Sequence, residues 1–475
     1  MVEKNVFENT KKLLQAHNQD HLLAFWHQLT PAQRHALTAQ IAALDFARID
    51  HWLADVVAKP PLNFMEGELK PADFFPHLTT APHHRRKYLQ AREFGSKLIS
   101  AGKVAAFVVA GGQATRLGAE GPKGDLPVSP LKKKTLFQLF AETISAASQT
   151  YHTICPWYVM TSPFNYDQTL EIFHENHYYG LDRSNVFIFR QGTLPNFDLE
   201  GKILLADKAT LSSSPDGHGG SLKAISQSGA LNDMTKRGIE FISYFQVDNP
   251  LVNIFDPLFI GLHALENAEM SSKAVQKTRP HEKVGVFSLV QGSVRVIEYS
   301  DLPRELAEKR NPDGSLSFGL GSIAIHIISV SFVKRLATAG LALPLHRAVK
   351  KIPHINQNGK LVEPAAPNGI KLETFVFDAL NLAKKSVILE TLRNQEFAPV
   401  KNAAGPDSPR TAKVMQVARA VDWLKAAGVA LPLKPDGSPD CLVEIAPSFA
   451  LQKEDIKLKL DRIPQIKPGD NIYLA

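Results

Sequence analysis

Three stretches of the chain hold residue types that chemistry needs more than packing does. The first is VVAGGQATRLGAEGPKGDLP (108–127). Gly111 and Gly112 remove side chains where backbone N–H groups can face an anion, and Arg116 and Lys123 add two cations to the same loop. A strand-to-helix turn with an incidental basic pair is the plainer reading, and the paired glycines and paired cations count against it. The spacing fits neither the dinucleotide G-x-G-x-x-G nor the Walker A pattern. The second is Asp248, which ends an apolar run where a carboxylate has no packing reason to be. It suits a Mg²⁺ ion shared with substrate phosphates, or an N-cap for the segment that follows. The third is SSSPDGHGGSLKA (212–224), with three glycines and His218 between hydroxyl-rich flanks. A turn requires only one or two such residues. The excess reads as backbone that must come close to a ligand, with Gly219-Gly220 opening the next helix.

These loops need a scaffold. Short apolar runs at 104–109, 154–160, 185–189 and 239–247 read as buried strands, and stretches such as 135–148 and 166–176 as helices between them. That alternation predicts an α/β fold with a doubly wound, mostly parallel sheet. In such sheets ligands bind beyond the carboxyl ends of the strands, which is where the loops after Val109, Phe189 and Val247 fall. A helical N-terminal segment (1–100) precedes the core. In it Thr30 is an N-cap, Pro31 takes the first helical position, and Leu37, Ile41 and Leu44 follow at helical spacing. A break at Lys59-Pro60-Pro61 and a second helix over 82–102 complete it. The expected domains are this segment, a catalytic domain over 101–405, and a small β-rich C-terminal domain over 406–475 carrying DCLVEIAPSFAL and IYLA.

At 475 residues the chain is long enough for two or three domains. Its two cysteines, Cys155 and Cys441, form no disulfide framework or cysteine metal cluster and favour a reducing compartment, so a cytoplasmic location is expected. The N-terminus has no signal-peptide pattern. The most apolar window, 320–333, is too short to span a bilayer and carries His326, so no membrane partner is expected. The formal net charge of +7 is scattered, with runs of three only at Arg85-Arg86-Lys87 and Lys132–Lys134. Small phosphorylated ligands fit this excess better than a nucleic acid, whose binding would fall steeply with salt. The sequence gives no reading of oligomeric state.

The order of motifs adds a resemblance. Ala110-Gly111-Gly112-Gln113-x-Thr115-Arg116-Leu117-Gly118 followed by Pro122-Lys123 is similar to the signature of sugar nucleotidyltransferases, in particular the eukaryotic-type UDP-sugar pyrophosphorylases. Further elements occur in the family's order: Gln191-Gly192-x-Leu194-Pro195, Pro215–Gly220, Val247-Asp248-Asn249-Pro250-Leu251, Val284-Gly285-Val286, Val296-Ile297-Glu298-Tyr299, Asn368–Asp378, and Phe397-x-Pro399-x-Lys401-Asn402-Ala403. The Asn-Gly-Ile-Lys and Lys-Asn-Ala elements resemble the UDP-N-acetylglucosamine pyrophosphorylase branch most closely, over residues 85–405. The resemblance implies a nucleotide-diphospho-sugar transferase, Rossmann-like fold. It implies a uridylyltransferase that makes a UDP-sugar and pyrophosphate from UTP and a sugar 1-phosphate, with Mg²⁺.

By resemblance, Ala110, Gly111 and Gly112 hold the uridine through backbone groups, and Gln191 and Gly217 contact the base. Arg116 and Lys123 face the triphosphate, Asp248 binds Mg²⁺, and Lys371 and Lys401 resemble the family's phosphate-contacting lysines. Lys371 stands on the sugar side with Gly285, Glu298 and Tyr299, and with Phe375 and Phe377. The two Phe, at alternate positions, are expected on one face of an extended segment, packing an N-acetyl methyl or the core. Three positions depart from the branch. Ala114 replaces a glycine, which would strain the loop if that position needs positive φ. His218 and Ser322 stand where the branch has Asn on its sugar side. The ordered motifs make N-acetylglucosamine 1-phosphate the first sugar expected; His218, which resembles the glycine loop of the UDP-glucose enzymes, makes glucose or galactose 1-phosphate the alternative. A nucleotide-sugar sensor without catalysis is a further alternative, weakened by the presence of Lys123, Asp248 and Lys401.

Overall fold

The computed structural model describes residues 2–57, 68–77, 81–340 and 343–475, so the expected break at Lys59-Pro60-Pro61 lies outside the described residues. The chain divides into two units. One comprises Met1–Glu66, Gly192–Gly220 and Ala342–Val376; the larger comprises Gly67–Gln191, Ser221–Leu341 and Phe377–Ala475.

The larger unit is built on a ten-stranded sheet. Its strands are β1 (Leu69–Pro71), β2 (Val104–Val109), β3 (Trp157–Thr161), β4 (Val186–Arg190), β5 (Phe241–Gln246), β6 (Met270–Gln276), β7 (Val286–Val290), β8 (Ser293–Ile297), β9 (Leu320–Ser329) and β10 (Ser386–Glu390). β4, β3, β2 and β5 are neighbours in that order and all parallel. β9 pairs antiparallel with β5, β6 and β7, while β6 pairs parallel with β10. β7 also pairs antiparallel with β8 and β1. Only β1, β8 and β9 run against the rest, so the sheet is mixed and mostly parallel in direction. Every residue of β2 is buried, as expected of a strand covered on both faces. Phe241 of β5 lies opposite Val104, and Ala106 opposite Trp157 of β3.

The predicted elements form within a few residues of their expected bounds. β3 begins at Trp157, later than the apolar run suggests, because Pro156 has no N–H for the ladder. Pro156 contributes its carbonyl instead, accepting from the Ala106 N–H at 3.0 Å. The helix Leu136–Thr150 starts at Thr135, whose hydroxyl accepts from the Gln138 N–H, and it buries Phe137, Phe140 and Ile144.

In the other unit the helix Pro31–Ala42 starts as expected, with Thr30 and Gln33 forming a capping box. Its Leu37 and Ile41 share a core with Leu14, Leu22, Phe197, Ile203, Ile370 and Leu372. A three-stranded antiparallel sheet there joins His346–Lys350, Gly369–Glu373 and Phe197–Asp198. The expected boundaries at 100 and 405 do not coincide with this division. Residues 192–220 and 342–376 pack with the N-terminal helices because their apolar faces close one common core.

The C-terminal residues are less β-rich than expected. A helix, Pro409–Ala426, begins in a Ser408 capping box with proline at its first position. The only strand pairing from 406 onward among the described residues is the parallel pair Cys441–Ile445 and Asp470–Leu474. Leu424, Val443, Phe449 and Ile456 form their own small core. No described helix is long and apolar enough to cross a membrane.

Candidate active site

In the larger unit, most of the singled-out residues gather at one edge of the sheet, beyond the carboxyl ends of β2, β4 and β5. Ala110 continues β2, its N–H donating to the Met160 carbonyl at 2.7 Å. Gln191 continues β4 in the same way, donating to Thr161 O at 2.8 Å. The two continuations meet at Gly111: a Cβ there would lie 2.6 Å from Gln191 Oε1 and 3.2 Å from Ser162 N. Glycine is thus required by close approach of the chain itself.

Sequence reasoning missed the residue that sets this loop. Asn165 is almost fully buried. Its Nδ2 donates to Ala110 O at 2.9 Å, and its Oδ1 accepts from the Ser162 N–H and hydroxyl. Its place between a strand and the helix Tyr166–Glu175 was the available signal.

The loop then folds back on itself. Lys123 N–H donates to Gly112 O at 3.0 Å, and Ala114 N–H to Gly121 O at 2.9 Å. Ala114 has φ −87 and ψ 4, so the position does not need positive φ and alanine carries no strain there. Lys123 Nζ stands 3.8 Å from Asp248 Oδ2, within ion-pair range but beyond a hydrogen bond. Arg116, in the short 3₁₀ turn Thr115–Leu117, is exposed.

Asp248 follows β5 and caps no helix; the next helix, Pro257–Leu265, is capped by Asp256. Asn249 organises the turn instead. Its Oδ1 accepts from the N–H groups of Leu251 and Ala398, and its Nδ2 donates to Glu396 O at 2.7 Å. Val400 N–H donates to Asp248 O at 2.9 Å. These bonds lay the segment bearing Lys401 against the end of β5, with Lys401 itself exposed.

β9 runs against β5, which brings the amino-terminal half of β9 and its Ser322 to the same edge. Ser322 N–H donates to Gly285 O at 2.8 Å. Val286 pairs with Ile297, placing Gly285 opposite Glu298, and a Cβ at Gly285 would lie 3.3 Å from Glu298 Oε1. Gly285, Glu298 and Ser322 are therefore brought together, whereas Tyr299 points out at 46% exposure. Phe377 is buried within the 3₁₀ segment Val376–Leu382.

The other unit holds Gly217, His218, Lys371 and Phe375. Gly217 has φ 84, and a Cβ on it would meet Thr374 O at 2.3 Å. One on Gly219 would meet Phe375 N at 2.7 Å, and one on Gly220 the Asp216 carboxylate at 2.0 Å. Within this unit the glycines accommodate the neighbouring chain. Gly220 also begins a helix, Gly220–Gln227, as expected.

His218 Nδ1 accepts the Val376 N–H at 3.1 Å, which requires an unprotonated Nδ1 and the neutral Nε2–H form. Burial lowers its pKa to about 4; Glu373 opposes that shift and His346 adds to it. The Phe375 ring stacks on His218 at 5.2 Å and on His346 at 4.3 Å. Lys371 Nζ pairs with Glu373 Oε1 at 2.5 Å, since alternate strand residues share a face. Phe375 and Phe377 do not lie on one extended face as expected. The strand ends at Glu373, where Thr374 turns to bond Asp216 O through both its N–H and its hydroxyl, and the 3₁₀ segment follows.

A cavity of about 360 Å³ in the larger unit is lined by none of the candidate catalytic, nucleotide-, sugar- or metal-binding residues; Asp256, Glu396, Arg419 and Trp423 are among its walls. Among the described residues no group of three or more His, Cys, Asp or Glu is placed to hold a metal ion. Asp248 is the residue that could hold Mg²⁺, an ion usually bound through one or two carboxylates together with substrate phosphates and water.

The model of the family described as UTP–glucose-1-phosphate uridylyltransferase matches residues 76–473. The chain is 39% identical over 484 residues to the human UDP-N-acetylhexosamine pyrophosphorylase-like protein 1, covering 95% of this chain and 94% of that one. It is 38% identical over 372 residues to the UDP-N-acetylglucosamine pyrophosphorylase of Saccharomyces cerevisiae, covering 76% and 77%. Among solved structures it is similar to the uridine diphosphate N-acetylglucosamine pyrophosphorylase from Trypanosoma brucei in complex with inhibitor. The TM-score is 0.82 and the identity 27%, over 100% of this chain and 98% of that one.

Proposed function

This chain belongs to the family of UDP-sugar pyrophosphorylases, uridylyltransferases that use UTP and a sugar 1-phosphate, and we propose that its sugar substrate is N-acetylglucosamine 1-phosphate. The observation that supports this choice is the similarity, over most of the chain, to relatives named for N-acetylhexosamine or N-acetylglucosamine.

A phosphate oxygen of the sugar 1-phosphate attacks the α-phosphorus of UTP in line. The new O–P bond forms as the bond to the β-phosphate oxygen breaks, and pyrophosphate leaves with that electron pair. Such a transfer needs positioning and charge neutralisation more than a nucleophile from the protein. In this reading the backbone of Ala110, Gly111 and Gly112 holds the uridine with Gln191. Lys123, Arg116 and Lys401 supply the cations that offset charge on the phosphates. Asp248, with its carboxylate 3.8 Å from Lys123, would hold Mg²⁺, which when bound neutralises phosphate oxygens. Gly285, Glu298, Tyr299 and Ser322 of the larger unit face the sugar. A cytoplasmic location is supported by the two cysteines being free.

His218 gives the second reading its footing, because it stands where the N-acetylglucosamine branch has Asn: the sugar would then be glucose or galactose 1-phosphate. Purified protein given UTP, Mg²⁺ and a panel of sugar 1-phosphates tests both. Pyrophosphate release greatest with N-acetylglucosamine 1-phosphate supports the first, and greatest with an unacetylated hexose the second.

A further inference from the structure

Lys273 lies in the middle of β6 with no side-chain exposure, an arrangement rare for lysine unless its charge is met. It is met twice. Asp256 Oδ2 lies 2.7 Å away, and both Glu396 oxygens accept from the ammonium, Oε1 at 2.6 Å. The carboxylates are themselves tied to backbone and side chains: Asp256 caps the helix Pro257–Leu265, and Glu396 Oε1 accepts from the Thr391 hydroxyl at 3.0 Å. Burial opposes the charge on Lys273, but the two carboxylates hold its pKa above the ordinary lysine value.

A buried cluster of this kind is poor value as a source of stability. Well-packed apolar side chains often do as well or better, because desolvating each ion costs several kcal/mol. What the cluster does supply is a fixed position for Glu396. That residue begins the segment whose next bonds are Glu396 O to Asn249 Nδ2 (2.7 Å), Ala398 N–H to Asn249 Oδ1 (3.0 Å) and Val400 N–H to Asp248 O (2.9 Å). Lys401 follows directly. The path from Lys273 to Asp248 and Lys401 thus passes through one side chain and three alternate anchored positions, 396, 398 and 400, all within the larger unit. β6 pairs with both β9 and β10; the β9 ladder shifts register at Lys273, which keeps its partner Leu389 in β10.

We infer that Lys273, acting through Glu396, is a positioning residue that fixes the Lys401 segment against the Asp248 strand end. The inference rests on the proposed role of Lys401 and Asp248 in uridylyl transfer for its catalytic consequence, and on the hydrogen-bonded path alone for its structural one.

Glu396→Gln is the principal test, since it keeps shape and leaves Lys273 paired with Asp256. K273M/E396Q, which preserves the net charge of the cluster, serves as the second variant if the first fails to fold. Folding is checked by thermal unfolding. Hydrogen exchange at the Ala398 and Val400 amides should quicken by about tenfold relative to the β2 amides, the mark of a locally loosened segment. With UTP and the preferred sugar 1-phosphate, kcat should fall by about 10- to 100-fold, the scale of a small misplacement of a catalytic group, with KM for UTP little changed. In a Lys401→Ala background the same change should cost less than about twofold more, because both act through one group. Unchanged exchange, or losses that multiply in the combined variant, would overturn the inference. Faster exchange in a protein inactive toward every sugar 1-phosphate would support the anchor and overturn the proposed function instead.

Discussion

Lys123 Nζ lies 3.8 Å from Asp248 Oδ2, and neither side chain is more than a fifth exposed. The two come from loops after different strands, β2 and β5, whose parallel pairing sets their ends side by side. At this separation and partial burial the attraction is of the order of 4 kcal/mol before desolvation is counted. The spacing leaves Lys123 without a tight hydrogen bond to Asp248, so it can turn to a phosphate.

Lys123→Ala should therefore lower kcat by about 10²- to 10³-fold, the scale of losing one preorganised charge donor. Asp248→Asn should lower it comparably, and steady-state kinetics of the double variant should show less than the product of the two losses.

Ala114 offers a test of backbone strain. With φ −87 it already occupies an ordinary conformation, so restoring the branch's glycine gains nothing. Ala114→Gly should lower stability by about 0.5–1 kcal/mol in urea titration, with KM for UTP unchanged. A stabilised variant would mean that the loop does need positive φ.

His218 should make acid stability depend on one ring. Its folded pKa of about 4 lies below the unfolded value near 6.5, burial being the main cause. The neutral ring is the one the fold favours, so its contribution is full above the unfolded pKa and is lost as pH falls from there toward the folded pKa. Across that window, about pH 6.5 to 4, His218 should remove about 1.4 kcal/mol of stability per pH unit. Denaturation of wild type and His218→Asn at several pH values should show the variant lacking this slope.

Sugar choice should respond to two positions. Ser322 is held beside Gly285 and Glu298, while His218 is held by Val376 N–H and the Phe375 ring. Replacing both by Asn should raise the kcat/KM ratio for N-acetylglucosamine 1-phosphate over glucose 1-phosphate by about tenfold, the scale of one gained polar contact. An unchanged ratio would place specificity elsewhere.

Much of this arrangement was legible in the residues because it is local. The apolar runs of β2, β3, β4 and β5, the Thr30 and Pro31 helix start, and the glycines after Val109 each carry their meaning within a few positions. What could not be read depends on partners far along the chain. Asn165 looks like a loop residue until Ala110 is seen 55 positions away. Lys273 looks like a misplaced charge in a strand until Glu396 meets it 123 positions later. The glycines of 217–220 have a second reason that nothing local reveals, since Thr374 and Phe375 occupy the space that side chains at Gly217 and Gly219 would fill. Phe375 and Phe377 were placed on one strand face because alternation alone cannot show where the ladder stops.

The most direct test of the central claim is the rate of UDP-N-acetylglucosamine and pyrophosphate formation from UTP and N-acetylglucosamine 1-phosphate, with Mg²⁺, for wild type beside Lys123→Ala. The account predicts turnover by the wild type, with a higher kcat/KM for this sugar than for glucose or galactose 1-phosphate, and a loss of at least about 10²-fold in the variant. Wild-type protein that binds UTP but releases no pyrophosphate with any of the three sugars would contradict it.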